Sequence, residues 1–354
     1  MPQFLAGYLQ RLLTPQFMGL FLALLTAILM LVFFGSALAP YLTAVILAYL
    51  LEGIIRPLER LRVPRWLAVT VVFSLFMLLV IAVLFVFLPA MIQELSRVSA
   101  EIPKVTITLK SQLHHLTEWG SRWIDSPFAE NMIVGLVEKS QEWAAESISA
   151  LLKGGLPGLL SMLIYLFLVP FLVFFFIKDK TGLLAAFERY LPRDRRLLNR
   201  VMHEVGIGVG GYIRGKVWEM LLLGLSSYIA FALIGFQYAF LVAVLTGLSV
   251  LIPFLGLAVV TVPVVVLGVL QWGLTWEAAN PLIVYGVLQL IDGNLVAPLI
   301  LGETVHVHPT TIMLAVLTFG SVWGVAGVFF AVPLAVLVKS VLEVTLASDA
   351  PQVP

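Results

Sequence analysis

The sequence predicts an all-α fold: a polytopic helical membrane protein of about eight transmembrane helices, with broken or re-entrant segments in its C-terminal part. Three observations carry this. Of 354 residues, 61% are hydrophobic and 12% charged, against about 25% charged in an average soluble domain, which excludes a soluble enzyme. The apolar residues are gathered into uncharged runs of membrane length, at roughly 20 residues per crossing. Prolines and glycines punctuate the later runs, as in helices that break at membrane depth. The net charge of +1 comes from 21 Lys and Arg against 20 Asp and Glu, so no global basic excess points to nucleic acid. The absence of cysteine excludes disulfide frameworks, thiolate metal sites and cysteine nucleophiles in one step.

Residues 1–92 hold the first three spans. Phe17–Phe34 is an uncharged run of 18 residues, followed by Gly35-Ser36-Ala37-Leu38-Ala39, which has the small-residue look of a signal-peptide cleavage site. Pro40 directly after the cut, a lone Arg11 before the run and a second apolar run at once favour a retained span instead. Span two covers Leu38–Ile55, and span three the 28 uncharged residues between Arg65 and Glu94. The short loop between them carries Arg56, Arg60, Arg62 and Arg65 against Glu52 and Glu59, and the positive-inside rule makes it cytoplasmic.

Residues 93–153 are the least hydrophobic part, with eight acids against six bases, and read as extracytoplasmic. Val105, Leu109, Leu113, Leu116, Trp119 and Trp123 recur at helical spacing, as do Ile133, Leu136, Val137, Ile148, Leu151 and Leu152. Ser126-Pro127 between the two stripes reads as a cap followed by proline at the first helical position. An amphipathic pair packing on itself or on a sibling subunit outweighs ligand binding there.

Span four is Gly154–Ile177, 24 uncharged residues containing Pro157 and Pro170. Residues 178–216 carry nine bases against four acids and read as cytoplasmic. The two polar segments thus lie on opposite faces, as one crossing by span four requires. From Lys216 to Lys339 no Lys or Arg intervenes, so only parity guides the region 217–345, with 346–354 a short tail. The apolar pieces are Val217–Gly235, Ala239–Ile252, Leu257–Trp272, Ala278–Ile291, a punctuated stretch to Gly302, and Pro309–Val338. Four crossings among them place both termini inside.

Three motifs are weighed against plainer explanations. Gly206-x-Gly208-x-x-Gly211 matches the dinucleotide fingerprint in form, but no strand precedes it, and glycines on a helix nearing a bilayer serve close packing. His306-Val307-His308 offers two imidazoles without a clear third ligand, and an interfacial turn before Pro309 explains it better than a metal. Intramembrane proteolysis needs a second aspartate near Asp292 or a base near Ser226 and Ser227, and neither is apparent. No cofactor and no metal are expected.

What remains is a polar cluster within apolar surroundings, Gln289, Asp292, Asn294 and Glu303, with Gly293 and Pro298 as expected interruptions of the helix around it. An aspartate at membrane depth is normally set against protein, water or a transported ion. Leu251-Ile252-Pro253-Phe254-Leu255-Gly256 is a second expected break. Broken helices beside a carboxylate are the materials of a substrate or cation site in secondary transporters. The plainer alternative puts Asp292 in a wetted loop and Pro253 in a tight turn.

Pro57-Leu58-Glu59-Arg60-Leu61, Leu191-Pro192-Arg193, Tyr212-Ile213-Arg214-Gly215, the Pro253 motif, Asp292-Gly293-Asn294-Leu295-Val296-Ala297-Pro298, Gly324-Val325-Ala326-Gly327 and Pro333 follow one another in an order that resembles the autoinducer-2 exporter family of bacterial inner-membrane permeases. The likeness covers almost the whole chain. It differs in having Phe254 where the family usually has Tyr, and Asp292 where Glu is frequent. The resemblance implies a homo-oligomeric permease of about eight spans in the inner membrane, exporting autoinducer-2 in some members and exchanging cations for protons in others.

The expected function is secondary transport of a small polar solute across the inner membrane, by a protein that is not an enzyme and has no Walker-type loop. Asp292, Asn294, Gln289 and Glu303 are the candidate polar ligands, and Pro253, Gly256, Gly293 and Pro298 the helix breakers. Cation/proton antiport is the alternative within the family. A structural or regulatory membrane protein recruiting a partner through residues 93–153 is the alternative outside it. The expected partners are the solute or ion, the bilayer and further copies of the chain.

Overall fold

The computed structural model describes residues 15–98, 100–101, 135, 139, 155–189, 196–253, 255–273, 275–301 and 308–346. They are overwhelmingly helical, and no strand occurs among the described residues. The elements are α1 (Pro15–Arg60), α2 (Arg65–Val98), α3 (Gly155–Lys178), α4 (Lys180–Glu188), α5 (Arg196–Leu233), α6 (Ala239–Ser249), α7 (Leu255–Trp272), α8 (Asn280–Ile291), α9 (Ala297–Leu301), α10 (Pro309–Trp323) and α11 (Val325–Leu346). Among the described residues five stretches are long and apolar enough to cross a membrane: Ala37–Arg60 of α1, all of α2, Asn199–Leu233 of α5, α7, and Trp276–Ile300 through α8. Shorter apolar helices accompany them at Ile164–Lys178, Ala239–Ser249, Pro309–Trp323 and Gly327–Val341. Large apolar side chains such as Phe33, Phe85, Leu233 and Leu299 lie bare on the surface, as a lipid-facing exterior requires. The chain is therefore a multi-pass helical membrane protein.

Two compact units divide the chain, and some helices run from one into the other. The first comprises 1–74, 165–215 and 301–354. Its α1 contains both N-terminal runs, separated by a kink at Phe34, whose φ of −119° and ψ of 15° leave the helical region. At the far end of α1, Glu52 accepts from Lys180 Nζ at 2.7 Å and lies 3.4 Å from Arg65 Nη2. Arg65 also reaches Glu59 at 2.9 Å and donates to the Ile177 carbonyl at 2.9 Å. One carboxylate thereby ties α1 to the start of α2 and to the junction of α3 and α4, where the sequence shows only a basic loop. In the same unit α10 and α11 form an antiparallel hairpin around Ala315, Val316, Ala331 and Ala335. The apolar run from Pro309 to Val338 reads as one piece in sequence but turns back at Gly324, whose φ of 61° is open to glycine and strained for other residues. Tyr212 of α5 packs against Val332 and Val336 of α11.

The second unit comprises 75–164 and 216–300. Its core joins Val98, Phe231, Phe236, Val242, Val260, Val264, Leu267 and Tyr285 from α2, α5, the turn after it, α6, α7 and α8. Tyr238 donates its hydroxyl to Glu101 at the edge of this core, outside the apolar helices. Burial first, and then that carboxylate, push the Tyr238 phenol far above its ordinary range. The stretch after Ser249 does break: α6 ends there and α7 begins at Leu255, with Pro253 between them. Gly256 lies so close to the Ser249 backbone that any side chain would strike it.

At the other expected interruption the chain behaves differently. Gly293 and Pro298 do not break the helix. Between α8 and α9 the backbone widens for one turn, Asp292–Val296, into a π-helix in which the Ala297 N–H donates to the Asp292 carbonyl five residues back. A π turn carries one extra residue and absorbs the N–H that proline lacks without ending the helix. A second such turn, Val83–Phe87 within α2, has no glycine or proline in it.

Candidate functional site

The site is built from two helical faces of the second unit. In α5, Lys216 and Glu219 are three residues apart and so lie on one side of the helix. Gln289 and Asp292, also three apart, occupy one side of α8 and its π turn. Lys216 Nζ donates to Glu219 Oε1 at 3.0 Å, and Glu219 is all but fully buried, at 2% exposure. Asp292 is likewise buried, at 8%. It stands close enough for its carboxylate to repel that of Glu219 and to be attracted by Lys216. The cluster therefore holds two buried carboxylates against one ammonium.

Hydrogen bonding is incomplete. Asp292 Oδ1, Gln289 Nε2 and, farther along α5, Ser227 Oγ are buried with no hydrogen-bond partner among the described residues. Buried polar atoms are almost always paired, and an unpaired one costs about 1–3 kcal/mol, more when charged. Two buried carboxyl groups beside one ammonium, with one carboxyl oxygen unpaired, are able to take up a proton or a monovalent cation. One turn before Gln289 on α8, Tyr285 donates its hydroxyl to the Leu257 carbonyl of α7 at 3.0 Å.

The four expected ligands separate. Gln289 and Asp292 share a face, as above. Asn294 is exposed and donates Nδ2 to the Leu290 carbonyl at 2.8 Å, so it satisfies a backbone group beside the π turn. Glu303 lies outside the described residues, with Gly302 and His306. His308 caps α10, its Nδ1 accepting from the Thr310 N–H at 3.3 Å, and Pro309 takes the first helical position. The glycines of the nominal dinucleotide motif lie inside continuous α5, so no phosphate-binding loop exists there. Sequence reasoning pairs Glu219 at the interface beside Arg214 and Lys216, and the Lys216 pair is seen; what it missed is the burial of Glu219 and its nearness to Asp292. Glu219 reads as an interfacial residue at the start of a span, but α5 runs unbroken from Arg196 past it. The usable signal was an acid at the edge of a 57-residue uncharged run.

The fold and the site define a polytopic helical membrane protein with a buried, unevenly charged cluster beside a π turn. Comparison makes the class specific. The family described as AI-2E family transporter matches residues 19–347, and the chain belongs to it. PerM of Escherichia coli (strain K12), named as a candidate permease, is 37% identical over 343 residues, covering 95% of each chain. YrrI of Bacillus subtilis (strain 168), named as a candidate transport protein, is 27% identical over 307 residues, covering 85% of this chain and 84% of its own. TqsA of Escherichia coli (strain K12), named as an AI-2 transport protein, is 22% identical over 313 residues, covering 88% of this chain and 87% of its own.

Proposed function

We propose that this chain is a secondary transporter that moves a small polar solute of the autoinducer-2 kind, coupled to a proton or monovalent cation held at Asp292 and Glu219. The observation that carries the reading is the buried Asp292 carboxylate with an unpaired oxygen. Membership of a transporter family supports the transport role, and the relative named for AI-2 transport supports the solute class. Lys216 serves as the fixed counter-charge, Gln289 as a neutral ligand, and the π turn as the device that turns Asp292 out of the regular helical ladder. Exchange of a cation for a proton, without solute, is the second reading, favoured by the ratio of two carboxylates to one lysine. The setting is the inner membrane of a bacterium, with both termini inside and several copies assembled together.

The test is flux in proteoliposomes, using autoinducer-2, Na+ and K+ as separate probes and a trapped pH dye as readout. Asp292→Asn keeps the size and deletes the charge. It should remain monodisperse, lose tenfold or more of the flux and lose its pH dependence. An unchanged rate and pH profile would reduce Asp292 to a structural role and overturn the coupling assignment.

A further inference from the structure

The first unit contains a cleft of about 630 Å³ that the transport reading does not use. It lies among α1, α4 and α5, and its wall includes Arg56, Lys180 and Arg214 together with Val45, Leu184 and Met202. The charges are unequally engaged. Glu52 is the carboxylate lining the cleft, and its oxygens already face Lys180 at 2.7 Å and Arg65 at 3.4 Å. Arg56 approaches Glu52 at 3.7 Å with a largely exposed side chain. Arg214 donates to the neutral hydroxyl of Tyr49 at 2.6 Å and stacks over its ring at 5.3 Å, which orients the guanidinium without neutralising it. Gly210 opposite Tyr49 permits that approach, because a side chain there would strike the phenol. Of its apolar lining, Val45, Leu184 and Met202 are all more than half exposed.

We infer that this cleft binds the headgroup of an acidic phospholipid. Two guanidiniums with unused donors recognise a phosphodiester through forked hydrogen bonds. Basic pockets among membrane helices recruit anionic headgroups in this way, and the exposed apolar side chains of the same cleft offer contact to the lipid's glycerol and first methylenes. A wholly water-soluble anion would have no use for those side chains, and a zwitterionic lipid would set its own cation against Arg56 and Arg214. Such a site requires only that these helices lie in a bilayer, whichever way the chain is threaded, and it shares no residue with the Asp292 cluster.

Native mass spectrometry of the full chain, released from micelles with phosphatidylglycerol, phosphatidylcholine or glycerol phosphate added, tests the assignment. Phosphatidylglycerol should be retained at least tenfold better than phosphatidylcholine. Arg56→Gln combined with Arg214→Gln should abolish that preference, and Leu184→Trp should reduce lipid retention by filling the apolar wall. Arg56→Gln alone, at an exposed side chain, should leave the fold intact and lower the preference at least threefold, so the outcome does not depend on whether the double variant folds. Equal retention of the two lipids, indifference to Arg56→Gln, or glycerol phosphate binding as tightly as the lipid would overturn it. The last result would make a soluble anion the occupant.

Discussion

Lys216 has one amine for two carboxylates, and this imbalance makes the second unit chemically distinctive. Replacing it with Met leaves Glu219 and Asp292 facing each other without a counter-charge. Removing one partner from a buried ion pair costs about 3–5 kcal/mol, so Lys216→Met should lower the melting temperature in detergent markedly. Adding Glu219→Gln should recover much of the loss, because the repulsion goes with the charge. A double variant no more stable than Lys216→Met would show that the two carboxylates do not interact. At Gly256 the constraint is steric: a valine side chain would meet the Ser249 backbone, which cannot move aside as a flexible side chain can. Overpacking of this kind costs about 1–3 kcal/mol, and a melting temperature for Gly256→Val equal to wild type would contradict the packing seen.

Elements show where local chemistry was decisive and where it was not. The break at Pro253 was legible, because a proline after a short apolar run cannot extend the ladder of α6. Gly293 and Pro298 carry the same signal, yet the helix passes through them by widening into a π turn. Glycine and proline set a local penalty, and whether a chain ends, kinks or widens in response depends on what packs around it. Deleting Gly293 removes the turn's extra residue and should return it to α register, closing the widened backbone at the Asp292 carbonyl. Helicity by circular dichroism should stay within error of wild type while flux falls tenfold or more. Retained flux would mean the π turn has no part in transport. The clamp on Glu52 makes a different forecast. Glu52→Gln weakens its charged hydrogen bonds to Lys180 and Arg65, each worth about 1.5–3 kcal/mol, so stability should fall while the pH profile of transport keeps its shape.

Over the whole molecule the opposed charge of two polar segments sets the expected threading. A reporter near Glu118 should be extracytoplasmic and one near Arg195 cytoplasmic, because eight acids face six bases in residues 93–153 and nine bases face four acids in 178–216. Finding both reporters on one side would remove the crossing by α3. Assembly is tested by mass in nanodiscs. The proposed homo-oligomer would divide the exposed apolar surface on α1, α2 and α5 between lipid and sibling chains, and a species of only 38.9 kDa would refute it.

The sequence by itself determined the helical membrane class, the main apolar pieces and Asp292 as a residue of interest. These follow from composition, run length and the expense of an acid at membrane depth, all of which are local quantities. Family membership was also readable from the order of short motifs along the chain. Only the tertiary structure decided that Glu219 and Lys216 join Asp292, that Asn294 turns to the backbone, that Gly324 folds one apolar run into a hairpin, and that Glu52 gathers the basic loop. The reason is that each depends on which side chains meet across more than 70 residues of chain, or on how neighbours divide a local backbone strain. Periodicity and composition report the face a residue occupies, and packing alone chooses what that face meets.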